Sequence, residues 1–170
     1  MHLQSRVFAL SALLAVCGLM EPTLAQETEV QEPAQLAITA IRVEPATPAA
    51  ETLCRLTVEL ENTGDRIATQ LGFTVTINGR KLPVYESHLF MYPLAPESKS
   101  ELALFNFWST ETSRPEPANG KLEIDVALRE ARWMKIETEG DTETWTPLGD
   151  VGALPVSRSI TVPMSNKTGG

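Results

Sequence analysis

Imidazole and thiol chemistry have few residues to work with in this chain. Its 170 residues include two histidines and two cysteines. His2 and Cys17 lie in an N-terminal stretch that reads as an export signal, which leaves His88 and Cys54. A serine triad would need His88 as its base, and no Gly-x-Ser-x-Gly elbow is present to raise a nucleophile. A zinc centre drawing on His and Cys lacks ligands. His88-x-x-Met91 has the spacing of a two-ligand soft-metal site, but it reads more simply as an edge-strand histidine beside a core methionine. Asp and Glu together number 22, so a glycosidase carboxylate pair is compatible with residue types alone, yet nothing around any acid supports one. The expectation is a non-enzyme with no catalytic residues, no metal and no cofactor.

Two further groups invite a ligand. Glu137-x-Glu139-Gly140-Asp141-x-Glu143 clusters carboxylates of the kind calcium favours. The spacing departs from an EF-hand, and solvated acids around a glycine turn account for it. Trp133 and Trp145 lie on the two arms of that same predicted hairpin. Core packing is the default for each. Exposed together, they would form a sugar-stacking platform or a protein hot spot, because an indole offers a large apolar face and one donor. They are the candidate partner or glycan surface.

The compartment follows from the N-terminus. Met1 to Arg6 carries one positive charge, Val7 to Leu19 is apolar, and Pro22 precedes Thr23-Leu24-Ala25. This is the layout of a secretory signal peptide over residues 1–25, cleaved between Ala25 and Gln26. The apolar run is too short for a bilayer core of about 30 Å, which needs roughly 20 residues. Leu14-Ala15-Val16-Cys17 resembles a lipobox, but Val16 stands where a small residue is the rule, so lipidation at Cys17 is the minority alternative. The expected location is periplasmic or secreted. Signal removal leaves Cys54 without an intramolecular disulfide partner. Cys54 falls on the apolar side of its segment beside Leu56 and Val58, where cysteine behaves as a small hydrophobe. The net charge of −8 survives the loss of Arg6 and Glu21. It argues against nucleic acid and against anionic membrane surfaces.

The elements that would position these residues are strands. Thr52 to Gly64 reads T-L-C-R-L-T-V-E-L-E-N-T-G, with Cys54, Leu56, Val58 and Leu60 alternating against polar residues before a turn. Such strict period-two alternation describes a strand with one buried face. Leu36 to Val43 changes parity between Ile38 and Ile41, which predicts a bulge or a crossing between sheets. Leu71, Phe73, Val75 and Ile77 run into Asn78-Gly79, a strong hairpin signal, and Arg80 to Leu82 begins the return before Pro83. Further strands are expected over 89–94, 102–108, 121–129, 133–138, 142–146 and 159–162. Phe105 and Phe107 would share one face, opposite Asn106 and Trp108. No helical period is evident. The expectation is an all-β, immunoglobulin-like antiparallel sandwich over residues 36–163, with a flexible acidic leader at 26–35 and a flexible tail at 164–170.

A strand ending at Glu61-Asn62-Thr63-Gly64, a second running from Phe73 to Gly79, and the loop Leu94-Ala95-Pro96-Glu97-Ser98 together resemble a bacterial cell-adhesion-related domain of the CARDB type. The loop Pro45 to Glu51 also suits that family. The resemblance covers residues 36–128. Beyond it, a segment with Trp133 and Trp145 replaces the family's usual acidic, asparagine-rich stretch. The resemblance implies an immunoglobulin-like extracellular interaction module and carries no catalytic residues. The expected function is therefore an exported, non-catalytic module that binds an envelope or extracellular protein through a sheet edge or the 133–146 hairpin. A carbohydrate-binding sandwich using the tryptophans is the alternative.

Overall fold

A computed structural model describes residues 34–82, 88–110 and 118–165. The expected signal peptide with its Ala25–Gln26 junction, Cys17, most of the acidic leader, Pro83 and the end of the tail lie outside the described residues.

The strands are β1 (Leu36–Glu44), β2 (Leu53–Asn62), β3 (Ile67–Ile77), β4 (Arg80–Lys81), β5 (Leu89–Phe90), β6 (Ser98–Trp108), β7 (Lys121–Glu139), β8 (Thr142–Asp150) and β9 (Val156–Pro163). One sheet has the order β1-β2-β6. In the other, β3 and β7 lie at the centre, β4 and β5 pair with β3, and β8 and β9 both pair with β7. All pairings are antiparallel. With β4, β5 and β8 set aside, β1-β2-β6 facing β3-β7-β9 has the connectivity of an immunoglobulin-like sandwich.

Alternation makes the core. Cys54, Leu56, Val58 and Leu60 of β2 meet Leu71, Phe73, Val75 and Ile77 of β3 and Leu122, Ile124, Val126 and Leu128 of β7 in one buried cluster. Their polar neighbours face out because each successive side chain points to the opposite face. The parity change in β1 is a register shift between Ile38 and Ala40. Asn78 and Gly79 connect β3 to β4 with φ of 49° and 76°, the two positive values a type I′ hairpin turn requires.

The Asn-Thr-Gly turn is an internal strut. Asn62 is fully buried. Its Nδ2 donates to the carbonyls of Arg66 (2.7 Å), Ala95 (3.0 Å) and Leu94 (3.2 Å), and its Oδ1 accepts from Gly64 N at 2.9 Å. The Leu94 loop is further tied by paired backbone bonds to Ala68. Buried polar groups need partners, and here one side chain joins the end of β2, the start of β3 and the loop before β6.

Backbone hydrogen bonds tie both ends of the described chain to the sandwich. The Gln35 carbonyl, at the end of the expected leader, accepts from Thr63 N at 2.8 Å, and in the expected tail Met164 N and Ser165 N donate to Gly120 and Pro48 carbonyls. Two expectations about strands change. The expected strand over 89–94 shrinks to the two residues of β5 and a single bridge at Leu94. The segments 121–129 and 133–138 are one continuous 19-residue strand. Register shifts beside Gly72, where one residue of β3 spans two of β7, take up the break in pattern.

Candidate functional site

The β7–β8 hairpin leaves the body of the sandwich. The last β3–β7 pair is Ile67 with Met134, whereas β7 and β8 continue together to Glu139 and Thr142. From Lys135 outward β7 has no strand on its other side among the described residues, and β8 is exposed along its whole length. Gly140 opens the connecting turn with φ of 59°.

Register gives this ribbon two unlike faces. Ile136 pairs with Trp145 and Met134 with Pro147, so these four share a face, with Met134 buried at its root and Trp145 40% exposed further out. The opposite face carries Lys135 with Thr146, Glu137 with Thr144, and Glu139 with Thr142. Lys135 Nζ lies 2.7 Å from Glu137 Oε1 there. Leu148 is an extra residue opposite the Trp133–Met134 step and is 47% exposed.

The two predicted tryptophans are not brought together. Trp133 is 6% exposed and belongs to the core, and it pairs with Gly149, not with Trp145. This corrects the expectation of a joint surface. Past the irregularity at Gly72, the inward positions of β7 move from Leu128 to Ala131 and Trp133, which turns the indole inward. Trp145 alone remains as the aromatic of the exposed ribbon.

The other candidates separate similarly. Glu137 and Glu139 lie on the threonine face and Glu143 on the Trp145 face, because Glu143 pairs with Thr138. No group of three His, Cys, Asp or Glu close enough to hold a metal occurs among the described residues. His88 is exposed, with its ring edge-on to Phe90 at 4.8 Å. Met91 is 71% exposed, not the core residue expected, since the chain leaves the sheet after Phe90. Cys54 is fully buried as expected, and burial pushes its thiol above the ordinary value. Phe105 and Phe107 pack with ring centroids 6.0 Å apart, while Trp108 is 48% exposed.

No family model matches this chain and no curated protein matches it.

Sequence reasoning missed a cleft of about 300 Å³ at the root of the ribbon. It lies where β3 and β7 lose register between Thr69 and Phe73. Gln70 stands there with φ of 52°, a left-handed conformation that non-glycine residues seldom adopt. Arg129, Glu130, Arg132 and Asp150 supply the charged part of its lining, and Leu89, Val151 and Leu154 part of its apolar lining. Arg129 Nη1 contacts Glu130 Oε1 at 2.7 Å, and Arg132 Nε donates to Asp150 Oδ1 at 3.2 Å. No sequence motif marks this site, because β3, β5, β7 and the β8–β9 connection meet only in the fold.

Proposed function

We propose that this protein is an exported, non-catalytic interaction module that binds an envelope or extracellular protein through the β7–β8 ribbon. One observation carries the reading: Trp145 stands 40% exposed beside Ile136 on a ribbon that projects past its sheet. A partly exposed tryptophan against an aliphatic neighbour is the chemistry of an interface anchor. Exposed Glu143 shares its face and exposed Asp141 lies in the turn beyond it, while Glu137 and Glu139 line the opposite face, so the matching partner surface is apolar where it meets Trp145 and basic toward the tip of the ribbon. The export signal, the absence of a catalytic motif in the sequence and the resemblance to a CARDB-type domain support the same reading. Pro147, which has no N–H, and the extra residue Leu148 interrupt the outer edge of β8. Both features discourage strand addition there, so the apolar face is the favoured contact.

The carbohydrate alternative has lost its two-tryptophan platform with the burial of Trp133. The test is affinity capture from the native cell envelope with the chain as bait, compared with Trp145→Ala. The reading expects a discrete protein recovered by the first bait and lost with the second. Equal recovery by both baits counts against the ribbon, and quenching of Trp145 fluorescence by an envelope glycan would favour the carbohydrate reading.

A further inference from the structure

We infer that the cleft at the root of the ribbon is a binding site for a small carboxylate with a short apolar tail, held by the guanidinium of Arg129 in exchange for Glu130. Three features lead there.

The first is an incomplete ion pair. Arginine presents a planar fork suited to two parallel bonds with one carboxylate. Glu130 Oε1 lies 2.7 Å from Nη1, whereas Arg129 Nε is buried without any hydrogen-bond partner. It is the one such side-chain atom among the described residues. A buried donor left unpaired is a debt that a better-placed acceptor relieves. An incoming carboxylate meets it by taking the Nε edge of the fork as the guanidinium turns toward the cleft.

The second is the ease with which Glu130 can leave. It is the residue next to Arg129, its side chain is 48% exposed, and it lies across Gly72, where no β-carbon blocks it. Its carboxylate occupies the place of a ligand without the geometry of one, and water receives it when it is displaced.

The third is the cleft itself. A volume of about 300 Å³ sits at the small end of the range for ligand sites, which combine apolar walls with a few polar groups. Leu89, Val151 and Leu154 provide the apolar wall. Arg129 and Arg132 balance Glu130 and Asp150 in the lining, with Arg132 held by Asp150, so the site is locally neutral in a chain of net charge −8. Gln70 is held there with positive φ, and strained backbone of this kind collects at binding sites. Both a free short-chain acid and the C-terminus of a peptide present the required chemistry.

The experiment titrates ¹⁵N-labelled protein, expressed from the full sequence, with hexanoate and with hexanamide as the uncharged control. The readout is the Arg129 Nε–Hε resonance. A second arm compares a pentapeptide of Ala and Leu bearing a free C-terminal carboxylate with its amidated form, which separates the two sources. Saturable movement of that resonance with hexanoate or the free peptide, with Kd on the order of 1 mM or tighter, is expected, and the uncharged partners should leave it still. Arg129→Lys, followed by the Arg132 Nε–Hε resonance of the same cleft because the first reporter goes with Arg129, should abolish saturable binding, and Glu130→Gln, which removes the competing charge, should tighten binding by about tenfold. Glu130→Gln alone keeps the test open if Arg129→Lys does not fold. The proposal is overturned if neither carboxylate moves the resonance, if hexanamide acts equally, or if Glu130→Gln binds no more tightly.

Discussion

Glu130 lies across Gly72 so closely that a β-carbon at Gly72 would stand 2.6 Å from Glu130 Cγ and 2.7 Å from Glu130 Oε1. The glycine gives the Glu130 side chain its path at the point where β3 and β7 lose register, and that path brings the carboxylate to Arg129. The same irregularity opens the cleft and turns Trp133 inward. One small residue in β3 thus affects both the core and the candidate ligand site.

Gly72→Ala should destabilise the protein by about 1–3 kcal/mol through overpacking. In a Glu130→Ala background the same change should cost clearly less, because Glu130 Cγ and Oε1 are gone, Gly72 has no positive φ, and only Leu89 Cδ2 at 3.0 Å still has to give way. A double-mutant cycle in urea should report a coupling of about 1–2 kcal/mol. Additive effects would mean that the two side chains do not meet.

Asn62→Ala removes donors from the Arg66, Leu94 and Ala95 carbonyls and the acceptor from Gly64 N. The expected loss is about 2–4 kcal/mol, measured as a lower urea midpoint with an unchanged slope. Thr63→Ala, one residue along and exposed, should cost less than about 1 kcal/mol. A similar loss at both positions would contradict the strut.

The tryptophans should behave differently from one another. Trp133→Ala should cost about 3–5 kcal/mol as a core truncation, and Trp145→Ala should stay within about 0.5–1 kcal/mol as a surface change. Acrylamide should quench fluorescence from Trp108 and Trp145 and spare Trp133, which single-tryptophan variants can resolve.

Cys54 predicts an alkaline effect with a definite sign. Burial raises its folded pKa, so above the unfolded thiol value of about 8.5 the unfolded chain loses a proton that the folded chain keeps. The stability contributed by the protonated, buried thiol is complete below that pH. It is lost progressively as pH rises toward the raised folded value. The stability difference between wild type and Cys54→Ala should therefore shrink between neutral and alkaline pH, and a thiol reagent should react only as the protein unfolds. Rapid labelling of the folded protein would contradict the burial.

Where one face of a strand is buried and the other wet, the fold was legible. Cys54 to Leu60 and Leu122 to Leu128 alternate without interruption and are core strands, and Asn78-Gly79 forms the turn its residues favour. The continuity of β7 was not legible, because the irregularity at Gly72 changes which positions face inward and erases the period across Arg129 to Arg132. Trp133 was ambiguous for the same reason. Asn62 looked like a polar turn residue, since no local pattern reveals that distant carbonyls will surround it. The ribbon was legible as a hairpin, but its projection past β3 depends on where β3 begins. The cleft was invisible, because Gln70 and Arg129 are far apart in the chain and meet only through irregular pairing.

The most direct test of the ribbon as the interaction surface is site-specific photo-crosslinking in the native host. A benzophenone amino acid would replace Trp145 in one strain and Trp108, exposed elsewhere on the sandwich, in another. The account predicts one discrete protein adduct from position 145 and none of the same mass from position 108. Absence of an adduct at 145, or the same adduct from both positions, would contradict it.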